Sequence, residues 1–138
     1  ETPFTIGKAL TLWESEKPRV AILTSGSVTH NALLASRALA TQGIESIVVS
    51  FTTIKPLDTS ALSAIAGKVS RVVTVEEHQV MGGFGSAVAE YLSENHHVQI
   101  LRLGLQDEFG QSGEPDELIA HYKLDAVGIA EAVRTFIQ

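Results

Sequence analysis

The stretch Arg71–Leu92, RVVTVEEHQVMGGFGSAVAEYL, constrains the fold more than any other part of the chain. Val72-Val73-Thr74-Val75 is a run rich in β-branched residues, the pattern of a strand buried on both faces. Polar Glu76-Glu77-His78 and a glycine cluster at Gly82, Gly83 and Gly85 follow. From Ser86 the apolar period lengthens, with Ala87, Val88, Tyr91 and Leu92 on one face of a helix. A strand, two turns and a helix in that order belong to a parallel sheet. Such sheets meet their ligands at the carboxyl ends of strands, where Glu76, Glu77 and His78 fall.

The rest of the chain repeats the alternation. Lys8–Trp13 alternates apolar and polar residues, as an edge strand with one covered face does, and is expected to pair antiparallel. Buried parallel strands are expected at about 20–24, 46–50, 71–75 and 98–102. Between them lie helices. One is capped by Ser27 or Thr29 and stopped by Gly43, one is capped by Asp58 and ended by Gly67, and one follows the glycine cluster. Gly104–Glu114 reads as a glycine-bearing polar loop. Pro115 suits the first position of a helix. Asp125 caps a last one carrying Ile129, Val133, Phe136 and Ile137. Strands alternating with helices imply right-handed crossovers. The expected fold is therefore a three-layer α/β/α sandwich around a mostly parallel sheet of about five strands, one edge strand antiparallel. Residues 1–138 read as a single domain.

Composition limits the function classes. With 138 residues the chain supports one core, and 44% hydrophobic against 19% charged residues is globular. A net charge of −6 without a basic stripe argues against nucleic acid, and no apolar run approaches the roughly 20 residues that span a bilayer. The absence of cysteine removes disulfide and thiolate chemistry and suits a cytoplasmic protein. The first residue is Glu rather than Met, so the chain is expected to be a processed product or a fragment.

The candidate chemistry is sparse. Amides of Gly82-Gly83-Phe84-Gly85-Ser86, at a helix start, are of the kind that hold phosphate. The spacing GGxGS matches neither dinucleotide nor P-loop fingerprints, and no Lys or Arg lies within it. Close packing is the favoured reading of these glycines. Adjacent Glu76 and Glu77 point to opposite sides of an extended chain and cannot form one carboxylate pair. One is expected to cap the glycine turn or meet a partner, and the other to be solvated. His78 suits contact with a ligand by its ordinary pKa of about 6.5. His96-His97 are adjacent, without the spacing or carboxylates of a metal site. No catalytic, cofactor-binding or metal-ligating residue is assigned. Glu76, Glu77, His78, Gly82, Gly83, Phe84, Gly85 and Ser86 are candidates for an interface or ligand contact.

TVEEHQVMGGFGSAVAE, preceded by IGKAL, a TSGS turn and TIKPLD and followed by LGLQDEFGQSGEPDEL, resembles the C-terminal domain of transketolase-type thiamine diphosphate enzymes. The resemblance runs from about Phe4 to the end and is nearest to split or bacterial-type transketolases. Deoxyxylulose-phosphate synthases and β subunits of 2-oxoacid dehydrogenases share the domain. It implies a non-catalytic, dimer-stabilising part of a larger enzyme that transfers two-carbon ketol units between sugar phosphates. In such enzymes thiamine diphosphate and Mg²⁺ sit between separate diphosphate- and pyrimidine-binding domains. No GDG motif is present for the metal, and the activating glutamate of the pyrimidine-binding domain is not carried over to Glu76 or Glu77. Gly82, Gly83, Gly85 and the first turn of the following helix are expected to lie against a second copy or the neighbouring domains, because small residues permit close backbone approach and Met81 and Phe84 add apolar contact area, so that Gly83→Val would weaken association before folding. The alternative class is an autonomous module binding phosphate or nucleotide at the glycine turn.

Overall fold

The runs of Val, Ile and Leu become the central strands of a computed structural model that describes residues 4–108 and 110–138. In chain order the elements are β1 (Leu10–Glu14), β2 (Val20–Thr24), α1 (Thr29–Ala40), β3 (Ser46–Ser50) and α2 (Thr59–Ala66). They continue with β4 (Arg71–Gln79), α3 (Phe84–Asn95), β5 (Gln99–Leu105), α4 (Pro115–His121) and α5 (Ala126–Ile137). The strands form one sheet in the order β1-β3-β2-β4-β5. β1 runs antiparallel to β3, and all other pairs are parallel. The three-layer, mostly parallel architecture is thus the one the alternation of patterns requires.

Period-2 alternation sends successive side chains to opposite faces. Val20, Ile22, Val48 and Val73 pack under α1 and α5. Ala21, Leu23, Ile47, Val49 and Val72 pack under α2 and α3. Burying each Val, Ile or Leu among these contributes about 1.5–3 kcal/mol, which is why the two-sided strands hold the sheet together. β2 is fully buried along its length because it lies in the middle of the sheet.

The helix ends follow the local chemistry. Asp58 caps α2 by accepting from Ala61 N–H, and Asp125 caps α5 by accepting from Gly128 N–H. Gly43 closes the turn after α1 with φ +75°, a conformation that disfavours side chains. Pro115 stands at the start of α4. The entry to α1 differs from expectation. Val28 occupies its N-cap without a side-chain bond, and Thr29 Oγ1 instead donates back to Gly26 O at 2.8 Å.

Two strands run past their expected ends. β4 continues through Glu76, Glu77 and His78 to Gln79, and β5 carries on to Leu105. Gly104 stays in the strand because the chain passes close to it. A Cβ there would lie 2.8 Å from His78 O and 2.9 Å from Val80 Cγ1.

Candidate functional site

In the strand order, the crossovers turn away from each other between β2 and β4. The carboxyl ends of these two strands are the topological switch point, the usual ligand position in an open α/β sheet. The TSGS turn leaves β2 there, and Glu76-Glu77-His78 form the carboxyl-terminal part of β4. Ser25 N–H donates to Val75 O at 3.2 Å and ties the TSGS turn to β4.

Glu76 is fully buried. Its carboxylate accepts from Phe84 N–H at 2.8 Å and Gly85 N–H at 2.9 Å, the free amides of the first turn of α3. A carboxylate at a helix N-terminus meets both unpaired donors and the positive end of the helix dipole. The glycines follow from this arrangement. A Cβ at Gly83 would overlap Glu76 Oε2 and lie 2.5 Å from Gln79 O. One at Gly85 would overlap Thr74 Oγ1 and lie 3.1 Å from Glu76 Oε1. Gly82 has φ +74° with open space around it, so its requirement is conformational. Two of the amides expected to suit a phosphate, those of Phe84 and Gly85, are bonded to the chain's own carboxylate.

Glu77 points the other way, as its neighbour position on a strand demands. It accepts a short hydrogen bond from Ser27 Oγ at the entry to α1. Of the expected pair, one glutamate caps the glycine turn and the other links the second turn instead of standing in solvent. His78 is exposed. With Glu77 it borders an open cleft of about 360 Å³ walled by Leu105, Leu118, Ile119 and Tyr122.

Phe84 departs from its expected place on a contact surface. Its ring is buried, 5.4 Å from that of Phe51 by centroid, in the core beneath α3. Met81, by contrast, stands 69% exposed at the tip of the turn. Gly83→Val is accordingly expected to strike the packing of Glu76 under the turn, and so to weaken folding of the domain before association.

Arg102 is the residue that sequence reading missed. It stands opposite Thr74 in the β4–β5 register and reaches the turn from outside it. Its Nη1 donates to Val80 O at 3.1 Å and to Ser86 Oγ at 2.8 Å. Ser86 Oγ also accepts from Gly82 N–H at 3.0 Å and donates to Val80 O at 2.7 Å. A cation is therefore within reach of the glycine turn, and it braces the turn's outer side. The signal was present only in the pairing of the two strands, which no linear motif encodes.

These features define a doubly wound α/β domain whose switch-point turns are closed by its own side chains. The sequence profile described as the transketolase C-terminal domain matches residues 7–129. The chain belongs to that family. It is 43% identical over 120 residues to a 1-deoxy-D-xylulose-5-phosphate synthase of Geobacter metallireducens, a match spanning 86% of this chain and 19% of that protein. It is 39% identical over 136 residues to a putative transketolase C-terminal section of Methanocaldococcus jannaschii, covering 96% of this chain and 41% of the relative. Among solved structures, a split-gene transketolase, an inactive tetramer of its beta chain, superposes with a TM-score of 0.89 at 38% identity. That superposition covers 97% of this chain and 43% of the other. The chain thus spans about a fifth of the length of the synthase and about two fifths of the transketolase chains.

The residues at the switch point do not fit thiamine diphosphate with Mg²⁺. The turn amides already hold Glu76, the two glutamates diverge, and no cluster of three His, Asp or Glu side chains forms among the described residues. No helix among them is long and apolar enough to cross a membrane.

Proposed function

We propose that this chain is the non-catalytic, dimer-stabilising C-terminal domain of a thiamine diphosphate-dependent transketolase that works in the cytoplasm. The whole enzyme transfers two-carbon ketol units between sugar phosphates. Its diphosphate- and pyrimidine-binding domains carry the cofactor and Mg²⁺. The observation that carries this reading is the near-complete superposition on the beta chain of a split-gene transketolase. The closed glycine turn supports it, because Glu76 gives the α3 entry a structural role in place of phosphate capture. Within the assembled enzyme, exposed Met81 and Gly82 at the turn tip are the surface offered to a second copy. Glu77 and His78 then face the neighbouring domains at the strand ends.

A second reading has its own support. The higher identity to the Geobacter relative favours the same domain within a 1-deoxy-D-xylulose-5-phosphate synthase. Two measurements test the proposal. Calorimetry of the 138-residue chain with thiamine diphosphate and Mg²⁺ is expected to show no micromolar binding, and such binding would overturn the non-catalytic role. Joined to its diphosphate- and pyrimidine-binding partners, the enzyme is expected to move ketol units between sugar phosphates. Formation of 1-deoxy-D-xylulose 5-phosphate instead would select the second reading.

A further inference from the structure

The end of the sheet opposite the switch point holds basic side chains without an evident task. Ser70, Arg71, His96, His97, Val98 and Gln99 line an open groove of about 530 Å³ at the amino ends of β4 and β5. No carboxylate lines it, in a chain whose net charge is −6. Arg71 opens β4 opposite Gln99 in the β5 register, so the ladder fixes its backbone. Its Nε is shielded from solvent yet has no hydrogen-bond partner among the described residues. The ion pair found among those residues, Lys68 with Glu14, does not involve Arg71. A phosphate in the groove cannot reach that shielded Nε–H, so the outer Nη groups of the guanidinium are what Arg71 offers an anion there.

His96 is wired for such a site. Its Nε2 lies 3.0 Å from Ser63 Oγ, which lies 2.7 Å from Tyr91 Oη. Both hydroxyls rotate. Either hydroxyl can turn to donate or accept, so Ser63 stays paired with both His96 Nε2 and Tyr91 Oη, and His96 Nδ1 lies outside this chain of bonds. The carboxyl end of α3, which points its carbonyl dipoles at this region, repels anions. Side-chain cations are therefore the groups an anion site here requires.

We propose that this groove binds a phosphate dianion, free or as a monoester, held by the Arg71 guanidinium with His96 and His97. Arg presents a fork matched to phosphate oxygens, and charge-assisted bonds of this type are the strong ones. The site lies about 17 Å along β4 from Glu76, by strand rise, and is separate from the switch point.

Heteronuclear NMR of the 15N-labelled 138-residue chain tests it, using the Arg71 Nε–H and the ring nitrogens of His96 and His97 as probes. Orthophosphate is expected to shift all three in a saturable way. Arg71→Gln should weaken the apparent affinity at least tenfold and His97→Gln about threefold, while Arg19→Gln changes nothing. His97 is exposed, so its variant keeps the test valid should Arg71→Gln unfold the chain. Ribose 5-phosphate gives the second arm. Tighter binding of the ester supports a phosphorylated metabolite, and equal binding supports free phosphate. Shifts reproduced by sodium chloride at matched ionic strength, or no shifts at all, overturn the proposal.

Discussion

Two helices begin at the carboxyl ends of adjacent strands, α1 after β2 and α3 after β4, and their first turns are held differently. The α3 turn is closed from within by a buried carboxylate of its own strand, with Arg102 and Ser86 bracing the outside. The α1 turn has no side-chain cap and leans on Glu77 through the exposed hydroxyl of Ser27. The two carboxylates are consecutive in the chain. Strand alternation sends one to each face of the sheet, and burial makes their worth unequal. A charge-assisted bond buried with both partners satisfied contributes about 1.5–3 kcal/mol, whereas an exposed one contributes well under 1 kcal/mol.

That inequality can be broken directly. Glu76→Ala strands two buried amides and removes a helix cap, so a loss of about 3 kcal/mol is expected in urea unfolding. A loss under 1 kcal/mol would mean that the α3 entry is no firmer than the α1 entry. Gly85→Ala tests the same turn by crowding. Its methyl meets Thr74 Oγ1 and Glu76 Oε1, and a loss of about 2 kcal/mol in the same assay is expected.

Asp58 supplies an intermediate case, a carboxylate cap that also bonds a distant strand. It accepts from Ala9 N–H at 2.9 Å as well as from Ala61 N–H at 3.1 Å. Burial pushes its pKa up, but the bonds from Ala9 and Ala61, the charge of Lys8 and the bond from Ser60 outweigh that and hold it below the ordinary carboxylate value. Because the folded-state pKa is depressed, the stabilisation is complete above the unfolded value and lost as pH falls through the folded one. Asp58→Ala should cost about 1 kcal/mol at neutral pH. The gap between wild type and variant should close in urea titrations below about pH 4. The smallest effect belongs to Glu77→Ala, expected at about 0.5 kcal/mol in urea unfolding. A double-mutant cycle with Ser27→Ala would isolate the bond, and a coupling above 1 kcal/mol would place Glu77 in the same class as Glu76.

The comparison also marks where the sequence was legible. The parallel strands and the Asp58 and Asp125 caps could be read because each depends on residues within one short window. Glu76 looked like the end of a strand because a charged residue seldom lies in a core. Its burial depends on amides eight and nine positions later, once the glycine turn folds back over it. Phe84 looked like surface because polar residues and glycine flank it, yet the α3 entry turns it onto Phe51. Arg102 lay beyond reach for another reason. Its place beside the turn comes from β5 lying next to β4, and strand order is a property of the whole chain.

The position of β2 has a consequence for synthesis. Its first long-range partner, β3, follows soon after it, but its other neighbour, β4, lies about fifty residues further on. At roughly 5–20 residues per second, the open side of this apolar strand waits several seconds on the ribosome for its mate. During that interval its unpaired backbone edge is a template for the wrong strand, from this chain or another. Chaperone demand should therefore peak as β3 emerges and fall once Arg71–Val75 has docked.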